Sequence, residues 1–300
     1  MLTAIATSVV VTILTTNVAD TIGQGEWSFA AWVEADGRSF LFDTGWSPEN
    51  VRDNAEALGI DLSRAEDLIL SHNHGDHTGG LETLRRELSE RNPKALTRIH
   101  VAEGIFSSRP GTTGERNPMV ALKSTLESLG STFIVHDRPS EIAPGVWLTG
   151  PVPRKYDEKN YPTGPESLLK KGDTTLPDDI PESQSLVIVT ADGPILVAGC
   201  GHAGLINTLE HVQANVSKAS PQAAIGGFHL YNASESVLQF TSDKLRSMQL
   251  RYFLGSHCTG FESTYRIREL AGMDRDHAIV GAIGTRFISG QGILPGNINR

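Results

Sequence analysis

Long apolar runs are missing from this chain of 300 residues, and so are runs of basic residues. The most apolar stretch, MLTAIATSVVVTILTT at the start, falls short of the roughly 18 apolar residues a membrane span needs. It carries no positively charged leading segment. Because Val, Ile and Thr dominate it, it reads as a first core strand, with a secretion signal as the alternative. Lys and Arg number 26 against 35 Asp and Glu, a net charge of −9, and no basic run exceeds a pair. Such a chain lacks the clustered cations that phosphate backbones require, which argues against a nucleic-acid partner. Cysteine is scarce, with only Cys200 and Cys258, too few for a disulfide framework. The expectation is a cytoplasmic protein with a small-molecule substrate, no nucleic-acid or membrane partner, and a homodimer as the candidate assembly.

What is present is an alternation of strand and helix patterns. VVVTILTT, WSFAAWVEA and SFLFDTG read as strands, the last two joined by the tight turn DGR. SPENVRDNAEALGI reads as an amphipathic helix with Ser47 as N-cap and Pro48 at the first helical position. AEDLILS is a buried strand and LETLRRELSERN a helix. Later, SLVIVTADGPILVAG forms two strands around the Asp192-Gly193 turn. After it, INTLEHVQANV, ESVLQFTSDKLRSM and TYRIRELAG are helices separated by the strands AAIGGFHL and RYFLGSHC. The alternation predicts an α/β or α+β fold rather than an all-β one, with residues 1–300 as one domain. Residues 151–183, rich in Pro, Gly, Lys and Asp, read as a cap or active-site loop.

The densest chemistry lies in LSHNHGDHTGGL, Leu70 to Leu81. His72, His74, Asp76 and His77 fall within six residues at the end of a strand. Residues two apart do not share a helix face, so an extended or tight loop must bring them together. Gly75 supplies turn freedom, and Thr78 is a candidate cap for the helix that follows. Three solvent-facing histidines would be the bland reading. A run of nitrogen and oxygen donors this dense favours a metal site instead, because protonated imidazoles so close would repel one another. The run needs further ligands. His202 in GCGHAG, His257 in SHCTG and His229 in GGFHL each follow an apolar strand. Cys200 and Cys258 each lie within two residues of a histidine, which raises their prospects above those of buried small hydrophobes. His100, His136, His211 and His277 lack this context and read as structural.

HNHGDH, together with LFDTG (Leu41 to Gly45) upstream of it, resembles the metallo-β-lactamase superfamily. GEWSFAAWVEADGRSFLFDTG, TGPVPRKY, GCGHAGLINTLEH, IGGFHL and SHCTG extend the resemblance from Val11 to Ile283. They are similar to a subgroup of class II-type metal-dependent hydrolases related to dihydropterin ribofuranosyl-aminobenzene phosphate synthases. The resemblance implies a four-layered αβ/βα sandwich with the site between the sheets. It implies that His72 and His74 bind one metal, and that Asp76, His77 and His257 bind a second. The family's further histidine has no counterpart in DDIPESQSL, so His202 is the candidate for that role. The usual bridging aspartate is also absent, and Cys200 stands in its place with a competent thiolate.

These readings together predict a hydrolase, one or two Zn2+ ions (Mn2+ or Fe2+ as alternatives), and a metal-bound hydroxide attacking an ester, phosphoester or pterin-like phosphate. Asp76 and His229 are the catalytic candidates. His229 reads equally as a substrate donor, a metal ligand or a neutral core histidine. Asp43 reads either as a carboxylate orienting a ligand imidazole or as a turn cap. Pro153 to Tyr156, and Lys170 with Lys171, offer positive charge to an anionic substrate, although a solvated loop explains the two lysines better. A lactonase, a β-lactamase-type amidase and a non-hydrolytic metal-binding or redox protein are the alternatives.

Overall fold

Alternation along single strands sets the architecture. Phe40 and Phe42 point to one side of their strand and Leu41 to the other, and all three are fully buried. A strand buried on both faces needs a layer on each side. The computed structural model describes residues 4–158 and 167–300 and supplies those layers. The suggested cap at 151–183 thus lies partly outside the described residues.

Two mixed sheets stack face to face. The first has eight strands in the order Gly292–Leu294, Arg286–Ile288, Val9–Thr15, Ala30–Ala35, Arg38–Phe42, Asp67–Ile69, Arg98–Ala102, Thr132–His136. The second has seven, in the order Ala278–Val280, Tyr252–Gly255, Ala223–Gly226, Gly193–Ala198, Ser185–Thr190, Val146–Leu148, Ser140–Ala143. Each sheet is antiparallel in one half and parallel in the other. Val11, Ile13, Phe29, Phe42, Ile69, Ile188, Ile225, Leu254 and Phe287 fill the space between the sheets.

Helices cover both outer faces. Asn50–Ala57, Leu81–Arg91 and Pro118–Ser128 pack Val51, Leu84, Leu88 and Met119 against Leu41 and Leu68. Leu205–Asn215, Glu235–Ser247 and Phe261–Ala271 pack Leu209, Val212, Leu238 and Ile267 against Leu196 and Phe253. The result is the αβ/βα sandwich. Burying each such Leu or Phe side chain contributes roughly 1.5–3 kcal/mol. No helix among the described residues is long and apolar enough to cross a membrane.

Two helix starts differ from expectation. The first helix begins at Asn50, with Glu49 rather than Ser47 at the N-cap position and no side-chain cap bond. Ser47 is engaged elsewhere, because the Glu26 carboxylate accepts from the amides of Trp46 (2.9 Å) and Ser47 (3.0 Å). Thr78 does not cap the helix after the histidine run. Residues Gly75–Thr78 are themselves one helical turn, and the Thr78 hydroxyl donates back to the His74 carbonyl at 3.0 Å. The next helix starts after Gly80 with no side-chain cap. The paired glycines answer a packing demand: a Cβ on Gly79 would sit 1.9 Å from the Trp46 carbonyl oxygen, and one on Gly80 2.4 Å from that of Thr44.

Candidate metal centre

The C-terminal ends of the parallel strands in both sheets point into one cleft, where α/β folds place their sites. Asp43 follows strand Arg38–Phe42 and Ser71 to His77 follow Asp67–Ile69. From the other sheet, Cys200 and His202 follow Gly193–Ala198, His229 follows Ala223–Gly226, and His257 follows Tyr252–Gly255. Asp43, His229 and His257 have φ of +56°, +50° and +47°, conformations that cost about 1–3 kcal/mol each and are held by surrounding structure. Backbone strain is thus concentrated where the donors converge.

One buried carboxylate orients two of the imidazoles. Asp43 accepts from the Ser71 amide at 2.7 Å and the Ser71 hydroxyl at 2.7 Å. It also accepts from His77 Nδ1 at 2.7 Å. Since the Ser71 proton goes to Asp43, the Ser71 oxygen accepts from His72 Nδ1 at 2.8 Å. Both histidines therefore carry their proton on Nδ1 and aim the Nε2 lone pair into the cleft. Asp43 is the imidazole-orienting carboxylate rather than a simple turn cap.

The aimed donors form two adjacent groups. His72, His74 and His202 bring one ligand atom each within 4.8 Å of one another, and Asp76, His77, Cys200 and His257 do the same. Within the first group, the Nε2 atoms of His72 and His202 stand 3.2 Å apart. Two imidazole nitrogens on one tetrahedral zinc stand about 3.3 Å apart, so the spacing fits a shared cation. Within the second, His77 Nε2 lies 3.2 Å from Cys200 Sγ, and His257 Nε2 lies 3.2 Å from Asp76 Oδ2. Nitrogen, sulfur and carboxylate oxygen together make a donor set suited to a borderline transition-metal ion.

The electrostatics of the first group point the same way. Burial, aided by repulsion from the neighbouring histidines, holds the His72 and His202 imidazoles well below their usual pKa. Burial lowers His74 to about 4 against the opposing pull of Asp76. These rings are neutral at pH 7, the form that ligates a metal. Burial works to raise the Asp76 carboxyl, but His77 and His257 overcome it and keep Asp76 ionised. His257 is raised to about 9, because Cys258 and Asp76 outweigh its burial.

All seven residues expected as ligands fall in these two groups. His229 stands beside them, its ring 4.8 Å from that of His202. His100 and His136 stack on each other elsewhere, His211 bonds the Thr149 carbonyl, and His277 bonds Asp274. Arg154 contacts the His202 carbonyl, bringing one member of Pro153 to Tyr156 to the cleft, whereas Lys170 and Lys171 lie exposed on a hairpin. Several neighbours carry no signal in the sequence. Ser71 abuts His72 in the chain, yet nothing in its type marks it as a relay. Trp27 packs edge-on against His257 at 4.9 Å. Arg109 forms a buried ion triad with Asp178 and Glu182, in which burial pushes Glu182 up to about 7 despite Arg109.

Comparison with known proteins adds to this geometry. A profile of the metallo-beta-lactamase superfamily matches residues 28–200. The chain is 30% identical over 240 residues to 7,8-dihydropterin-6-methyl-4-(beta-D-ribofuranosyl)-aminobenzene-5'-phosphate synthase of Methanocaldococcus jannaschii, covering 79% of this chain and 81% of that protein. Among solved structures, a metal-dependent hydrolase of the beta-lactamase superfamily aligns at a TM-score of 0.75 and 22% identity, over 93% of this chain and 98% of that one. A metallo-beta-lactamase fold protein from Bacillus subtilis aligns at 0.58 and 11% identity, over 94% and 100% of the two chains. At these identities the structural likenesses speak for the fold alone.

Proposed function

The chain belongs to the metallo-beta-lactamase superfamily, and on that premise we propose that it is a metal-dependent hydrolase of small molecules carrying a phosphoester or ester. The observation that carries the proposal is the pair of adjacent donor groups, the first of them with His72, His74 and His202 held neutral by burial. His72, His74 and His202 would hold one divalent ion, and Asp76, His77, Cys200 and His257 a second. Zn2+ suits this donor set, with Mn2+ or Fe2+ as substitutes. Such ions, when bound, lower the pKa of a coordinated water to about 7 and polarise the substrate's oxygen.

The chain's own residues do the rest. Asp43 and Ser71 fix the ring orientation of His72 and His77. Asp76, kept ionised by His77 and His257, is a carboxylate able to accept the proton of the attacking water. Cys200, His77 and His257 are buried, which keeps bulk water from their donor atoms. The Arg154 guanidinium braces the His202 carbonyl and donates as well to the carbonyls of Asp179 and Ile180.

A second reading has its own support. The Methanocaldococcus jannaschii relative is named a synthase acting toward a pterin ribosyl phosphate, which favours a phosphate-bearing pterin-like substrate and allows chemistry other than hydrolysis. Steady-state turnover separates the readings. Protein loaded with Zn2+ or Mn2+ is assayed on an aryl phosphoester, an aliphatic lactone and a chromogenic β-lactam. The proposal expects phosphoester cleavage that Asp76→Asn reduces by about two orders of magnitude or more. No cleavage of any substrate by fully loaded protein would reject hydrolysis in favour of the second reading.

A further inference from the structure

Beside the two donor groups lies a third convergence. Cys200, His229 and Cys258 bring one ligand atom each within 4.8 Å of one another, and all three are buried. The sulfurs of Cys200 and Cys258 are 3.3 Å apart, 58 residues apart in the chain. Two thiolates bound at about 2.3 Å to one tetrahedral zinc stand about 3.8 Å apart. The observed spacing is half an ångström from that value, so a small side-chain rotation completes it. A lone buried cysteine is usually a small hydrophobe. Two sulfurs in contact, with an imidazole beside them, form a chelating set.

The surrounding backbone is shaped to allow this approach. Gly227 runs alongside, and a Cβ there would sit 2.9 Å from Cys258 Sγ and 2.0 Å from the Gly199 carbonyl oxygen. The amide of His229 donates to Cys258 Sγ at 3.3 Å, tying the histidine's strand end to the cysteine. His229, and His257 next to Cys258 in the chain, both take positive φ.

We propose that Cys200, Cys258 and His229 form a further metal site, a thiolate-rich pocket for a soft divalent ion such as Zn2+, Co2+ or Fe2+. Cys200 serves both this site and the neighbouring group, so its sulfur is a bridging ligand. Both sulfurs bind as thiolates, any proton still carried by either passing to solvent, and no oxidant or reductant takes part. Thiolates select against Mg2+, Ca2+ and Mn2+, so this pocket and the all-histidine group differ in the ions they retain.

The test uses the full-length protein, stripped of metal under reducing conditions and titrated with Co2+. The thiolate-to-cobalt charge-transfer band in the near ultraviolet is the readout. The expected result is a strong band that weakens about twofold in Cys258→Ser as one of two sulfur ligands is lost. One fewer equivalent of Co2+ is expected in both Cys258→Ser and His229→Ala. Should Cys258→Ser fold poorly, His229→Ala still decides, because it leaves both sulfurs in place. An unchanged band and stoichiometry in the folded variants would overturn the site, as would a Cys200–Cys258 disulfide in the reduced preparation. The reading is optical and stoichiometric, so absence of hydrolysis would reject the proposed function and leave this site standing.

Discussion

Asp43 accepts a hydrogen bond from His77 at 2.7 Å on one side of the imidazole, while on the other side His77 Nε2 faces Cys200 Sγ at 3.2 Å. The carboxylate thereby fixes which nitrogen is free to ligate. Through Ser71 it does the same for His72, so one residue from the first sheet orients a ring in each donor group. Asp43→Ala is expected to weaken metal affinity about 10–100-fold, as loss of such supporting carboxylates does elsewhere. Competition with a chromophoric chelator measures this, and unchanged affinity would contradict the orienting role.

Gly199 tests the same network sterically. A Cβ there would lie 2.1 Å from Ser71 Oγ and 2.5 Å from Asp43 Oδ2. Gly199→Ala is expected to lose about 1–3 kcal/mol of stability, the usual cost of overpacking, and to lose metal affinity with it. Urea denaturation alongside chelator competition reads both. A stability loss with affinity intact would uncouple the network from the donors.

Arg109 holds Glu182 by both carboxylate oxygens, at 2.8 and 2.7 Å, and Asp178 by its Nε at 2.6 Å. The Glu182 side chain is fully shielded from solvent and that of Arg109 is 6% exposed. Removing the guanidinium strands a buried acid, and the expected cost of Arg109→Ala is about 3–5 kcal/mol. Glu182→Gln in the same background is expected to recover part of it. Denaturation midpoints of the single and double variants give the comparison, and a loss under about 1 kcal/mol would mean the acid finds another partner.

The pH dependence of the metal-free protein follows from the histidines. Burial, with His100 adding to it, lowers His136 to about 4, and burial lowers His74 to about 4. In the unfolded chain both titrate near 6.5. Below that pH the unfolded state takes up protons that the folded state refuses, so their contribution is complete above about 6.5 and is lost as pH falls through about 4. Glu182, raised to about 7, acts in the opposite sense. His136→Gln is therefore expected to flatten the decline of the urea midpoint between about pH 7 and pH 4. A steeper decline in the variant would reverse the assigned sign.

Much of this is legible in the sequence. The strand-helix alternation carried the layers, because burial on both faces of a strand such as Arg38–Phe42 leaves an apolar run in the sequence. The donors were legible because each follows an apolar strand end in a small-residue setting, as His202 and His257 do. Capping was not. Ser47 has the right residue type at the right place, but Glu26, 21 residues earlier in the chain, takes its amide. The third donor convergence was equally hidden. Cys258 stands next to His257 in the chain, yet only the pairing of parallel strands Ala223–Gly226 and Tyr252–Gly255 sets it against Cys200 and His229.

The central claim is that two neighbouring donor groups hold separate divalent ions. Elemental analysis of the purified protein, beside His202→Ala and His257→Ala, tests it most directly. At least two transition-metal ions per chain are expected. Each substitution is expected to remove one ion, or to weaken it about 10-fold or more. A single ion, unaffected by either substitution, would contradict the claim.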